Sequence, residues 1–78
     1  DDIKVNVTLK DGFSLQSGDD NWYVHGYISA PTERPKGGQK GDAVTWKKAE
    51  ATSAPINITL PRNGATIFAV HVNVQECN

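Results

Sequence analysis

Apolar residues at every second position constrain this chain more than any other feature. Ile3, Val5, Val7 and Leu9 alternate with Lys4, Asn6, Thr8 and Lys10. Successive side chains of an extended strand point to opposite faces, so such a run lays one face on a core and the other in water. The same period returns from Trp22 to Ala30, at Val44 and Trp46, from Ile56 to Leu60 and from Phe68 to Val74. No stretch follows a helical period. The best helix candidate, Trp46 to Thr52, is short and uncapped at both ends, and reads as a strand followed by a loop.

Turn residues punctuate these runs. Asp11-Gly12 and Asn63-Gly64 accommodate positive φ at low cost, and Asn63-Gly64 between two alternating runs predicts a hairpin. Residues 17–21 (Ser-Gly-Asp-Asp-Asn) form a polar turn cluster. From Pro31 to Asp42 no aliphatic side chain other than proline occurs, which predicts a long loop. Gly26, in mid-strand, predicts a bulge or a close backbone approach.

Together these signals predict an all-β fold: a small antiparallel β-sandwich, or a barrel of similar perimeter, of about six strands. An immunoglobulin-like arrangement is the commonest such solution, although the Cys and Trp markers of true immunoglobulin domains are missing. The expected inward set is Ile3, Val5, Val7, Leu9, Phe13, Leu15, Trp22, Val24, Ile28, Val44, Trp46, Ile56, Ile58, Leu60, Phe68, Val70, Val72 and Val74. Tyr23, His25, Tyr27, Ile67, Ala69, His71 and Asn73 fall on the opposite faces.

Size and charge narrow the function classes. The chain has 78 residues, so residues 1–78 read as one β domain. No apolar run approaches the ~20 residues of a membrane-spanning helix. A net charge of −1 offers no global basic field, and no nucleic-acid partner is expected. The charge is uneven: residues 1–20 hold five acids against two lysines, and residues 31–62 hold six bases against three acids. A dipolar surface of this kind can steer an anionic partner toward the long loop.

Catalytic and metal chemistry find little support. Ser14, Ser17, Ser29 and Ser53 occupy no nucleophile elbow, and Glu33, Glu50 and Glu76 form no arguable acid–base pair. Gly37-Gly38 is not a phosphate cradle, since no helix follows a strand there. A structural zinc site needs four N or S ligands, and His25, His71 and Cys77 match no ligand spacing. Asp11, Asp19 and Asp20 lie in turns, where Asp is favoured for backbone reasons. No enzyme activity, metal or cofactor is expected.

Beginning at Asp1 without Met, the chain reads as a processed or excised piece. Two N-glycosylation sequons, at Asn6 and Asn57, give mild support to a secreted or surface-displayed glycoprotein. Cys77 is the lone cysteine and a candidate for an intermolecular disulfide. Tyr23, His25 and Tyr27 share one strand face. Amphipathic rings on a rigid strand make good contact surface, and rings also stack on sugars. They lead the expected partner-binding set, followed by Arg34, Lys36 and Lys40 of the loop. The competing reading packs those rings across the sheet or beneath the loop.

The function expected is thus non-enzymatic recognition of a protein or a glycan. A module of a larger extracellular or virion assembly, joined through Cys77 or an edge strand, is the first alternative. A small secreted toxin or inhibitor is the second.

Overall fold

The computed structural model describes residues 1–32 and 39–77. The chain is all-β, with seven strands and no helix among the described residues. The strands are β1 (Asp2–Val7), β2 (Phe13–Leu15), β3 (Trp22–Tyr27), β4 (Thr45–Ala49), β5 (Ile56–Pro61), β6 (Ile67–Val72) and β7 (Val74–Glu76). They form three antiparallel sheets: β1-β5, β2-β7 and β4-β3-β6. Among the described residues no ladder closes into a barrel. The arrangement is layered in the manner of a sandwich. Ile56, Ile58 and Leu60 of β5 cluster with Trp22 and Val24 of β3, and Ile3, Val5 and Val7 of β1 pack against that cluster.

β5 shows the expected alternation in its purest form. Ile56, Ile58 and Leu60 are buried, while Asn57 and Thr59 are exposed. β3 departs from it, because it is the central strand and is covered on both faces. Trp22 and Val24 face the main core, while His25 and Tyr27 are buried on the other side at 0% and 4% exposure.

Both Asx-Gly turns form, yet neither closes a hairpin. Asn63 and Gly64 adopt φ of 51° and 83°, and the Ala65 N–H donates to the Arg62 carbonyl at 2.9 Å. The strands they join belong to different sheets: β5 pairs with β1, and β6 with β3. The predicted β5–β6 hairpin is therefore a corner between layers. The Asp11-Gly12 turn likewise links β1 to β2, which do not pair. Turn residues specify a reversal of the backbone, and the sheet each flanking strand joins is decided by distant partners.

Seven residues expected inward lie outside the core. Leu9 and Val44 are half-buried away from it, and Val44 lines a cleft with Tyr27. Ile28 follows the end of β3 and is 62% exposed. Val70, Val74 and Phe13 are exposed as well, although Phe68 and Val72 of β6 and Leu15 of β2 pack against the core. Trp46 is the seventh. It pairs with His25, so it shares the outer face of the β4-β3-β6 sheet. Thr45 instead faces inward opposite Gly26, buried at 4% exposure. Gly26 explains the phase. A Cβ there would lie 2.7 Å from Thr45 Cγ2, 2.9 Å from Phe68 Cε1 and 3.0 Å from Ala65 Cβ. The close approach expected at this glycine is present, and the Thr45 methyl group occupies the space a side chain would need.

Candidate functional site

The β4-β3-β6 register gathers the aromatic residues on one face. Tyr23, His25 and Tyr27 run along the middle strand, with Trp46 on β4 opposite His25 and His71 on β6 opposite Tyr23. Side chains directly opposite across an antiparallel pair are in contact range, so five rings meet. Tyr23 stacks on His71 with centroids 4.8 Å apart and planes 16° from parallel. It meets His25 edge-on at 5.4 Å. His25 in turn stacks between Trp46 at 5.9 Å and Tyr27 at 6.3 Å. The Lys48 ammonium lies 5.6 Å from the Trp46 ring centre, within cation–π range, and 3.6 Å from the Asp20 carboxylate.

Within this layer the rings divide by exposure. Tyr23 and Trp46 are half-buried and His71 is exposed, so their outer surfaces face solvent. His25 and Tyr27 do not share that position, which corrects the expectation that all three β3 rings stand outward. The His25 Nε2 lies 2.7 Å from the Gln39 carbonyl, which can only accept, so Nε2 carries the proton and donates. Its Nδ1 is buried with no partner among the described residues. His25 thus ties the end of the long loop to the sheet, in keeping with the packing alternative. The signal for this was in the sequence: a six-residue run, WYVHGY, with no charge on either face suits a central strand better than a half-exposed one.

Tyr27 lines an open cleft of about 270 Å³ together with Ile28, Pro31, Thr32, Asp42 and Val44. Burial holds its phenol above the ordinary range, and the Asp42 carboxylate pushes it the same way. That keeps the hydroxyl protonated and neutral.

The remaining candidates scatter. Lys40 is exposed, and Arg34 and Lys36 lie outside the described residues. Asn6 and Asn57 are direct partners in the β1–β5 ladder, and the Asn6 amide donates to the Asn57 side-chain oxygen. The two sequons therefore share one spot on the outer face of that sheet. Cys77 is a free, exposed thiol just beyond β7. The uneven charge is partly resolved by folding: Arg62 bridges Asp1 at 3.1 Å, and Lys48 bridges Asp20. Among the described residues no group of three or more His, Cys, Asp or Glu is placed to hold a metal ion.

Asn21, in the polar turn cluster of residues 17–21, has a larger structural role than turn formation. It is 2% exposed. Its Nδ2 donates to the Ala51 carbonyl at 2.8 Å and the Gln16 carbonyl at 3.2 Å, and its Oδ1 accepts from the Ala51 N–H at 2.8 Å. One amide thus ties the entry to β3 to the segment after β4.

No family model, curated protein or solved structure matches this chain. The functional reading rests on the residues and geometry described above.

Proposed function

We propose that this chain is a non-enzymatic recognition module, secreted or displayed at a surface, that docks a protein or glycan on the outer face of the β4-β3-β6 sheet. The observation that carries the reading is the Tyr23–His71 stack beside Trp46 and Lys48. Stacking and cross-strand packing already restrain these rings, so little side-chain freedom is lost when a partner covers them. Flat π-faces suit the C–H face of a sugar or an apolar protein side chain, and Lys48 and the Tyr23 hydroxyl add polar contacts at the margin. His25 and Tyr27, buried on the same face, pack alongside these rings rather than touching the partner.

The test is Tyr23→Ala combined with His71→Ala. It removes the stack from a half-exposed position and should leave the circular dichroism spectrum unchanged. Binding on a glycan array, or to a protein captured by the wild-type chain, should fall about tenfold or more, as for truncation of an aromatic anchor. Undiminished binding by the folded double variant would sink the proposal.

A further inference from the structure

The geometry points to self-association of this chain by antiparallel pairing of the β6–β7 edge with the same edge of a second copy. β6 is the outer strand of its sheet and β7 continues it after Asn73. The Asn73 N–H donates to the Asn21 carbonyl and its carbonyl accepts from the Gln16 N–H, both at 2.9 Å. Both groups of Asn73 thus point to one side, where β3 and β2 lie. Polar groups alternate in direction along a strand, so Phe68, Val70, Val72, Val74 and Glu76 turn their N–H and C=O groups to the other side. Among the described residues that side has no backbone partner.

Other strand edges carry the features that discourage pairing. β1 has Asp2 and Lys4, and β4 has Lys47 and Lys48. β5 ends in Pro61 and has the Lys47 ammonium on its Thr59 carbonyl. β2 is only three residues long. From Ile67 to Gln75 the β6–β7 edge has no Asp, Glu, Lys, Arg or Pro, and it exposes Val70 and Val74 at 46% and 41%.

A second copy is the occupant because the edge complements itself. With the two-fold axis at Val72, Val70 of each chain lies beside Val74 of the other, so the two exposed valines cover each other. His71 then meets Asn73 and Ala69 meets Gln75, with no like charges opposed, and at each end Phe68 meets Glu76, an exposed residue at the margin of the pairing. The five outward residues of each chain would exchange about ten backbone hydrogen bonds. The two aromatic faces would lie on the same side of one continuous sheet. This inference is independent of what that face binds.

Sedimentation velocity across a concentration series tests it, using the full chain with Cys77→Ser so that no disulfide contributes. A monomer–dimer equilibrium is expected. Val70→Lys, and separately Val74→Lys, should weaken it about tenfold or more with the fold retained, because each ammonium would stand on an apolar partner. A Val70→Lys chain mixed with a Val74→Glu chain should regain dimer, since the register sets lysine against glutamate. Asn6→Lys, on the β1–β5 sheet, should change nothing. A chain that stays monomeric throughout, a dimer indifferent to both lysines, or a mixture that fails to recover would each overturn the inference.

Discussion

Replacing Asn21 by alanine should cost this fold more stability than any exposed substitution. The side chain makes three hydrogen bonds, two of them to the N–H and C=O of Ala51. A buried backbone group left without a partner costs about 1–3 kcal/mol. Ala51 is half-buried and Gln16 exposed, so water can recover part of the loss, the Gln16 carbonyl most easily. The two Ala51 groups then account for about 2–4 kcal/mol. A domain of this size holds roughly 4–12 kcal/mol in all. Urea unfolding followed by tryptophan emission, from buried Trp22 and half-buried Trp46, reads the change directly, by linear extrapolation. Asn21→Asp separates hydrogen bonding from packing. It keeps the shape and an acceptor for the Ala51 N–H, but sets a carboxylate oxygen where the amide faced two carbonyls. Folding then favours the protonated carboxyl, whose folded pKa lies above its unfolded value. The aspartate deficit should therefore be smallest below the unfolded pKa and grow as pH rises through the folded one. The alanine deficit should stay flat over that range. An alanine variant within about 0.5 kcal/mol of wild type would refute the argument, since that is the range of substitutions that touch nothing.

Two further outcomes follow from the core and from the cleft. Gly26→Ala forces a Cβ against Thr45, Phe68 and Ala65 and should destabilise by about 1–3 kcal/mol; Thr45→Ser removes the nearest methyl group and should recover part of that loss in the double variant, measured by thermal unfolding as a double-mutant cycle. Tyr27 has its folded pKa raised by burial and by Asp42, so its contribution is complete below the unfolded phenol value near 10 and lost as pH rises through the folded one. Tyr27→Phe should flatten the alkaline limb of stability against pH, and a limb of unchanged slope would count against this assignment.

The sequence was most legible where one face of a strand meets the core and the other meets water. β1 and β5 are such strands, and Ile3, Val5, Val7, Ile56, Ile58 and Leu60 all lie in or against the core as their period requires. Period-2 alternation carries no information about a strand covered on both faces. For β3 it could say only that Trp22 and Val24 oppose Tyr23, His25 and Tyr27, and both sets are largely buried. The phase of β4 was beyond it for a related reason. Taking the apolar residues as inward places Trp46 in the core, but an aromatic layer covers the outer face of the sheet, and the space at Gly26 on the inner side is filled by Thr45. The same ambiguity hid the candidate site. The β3 rings were identified, yet the partners that convert them into a surface, Trp46 and His71, come from strands whose pairing local signals do not determine. Here β1 finds β5 and β2 finds β7 across most of the chain, while the two Asx-Gly turns between them only redirect the backbone. Asn21 follows the same logic: a turn-forming residue becomes a buried tie because the register brings Ala51 beside it, 30 positions along the chain. In a fold held by long-range pairing, side-chain chemistry can be read locally, but the neighbours that give it a function arrive only with the register.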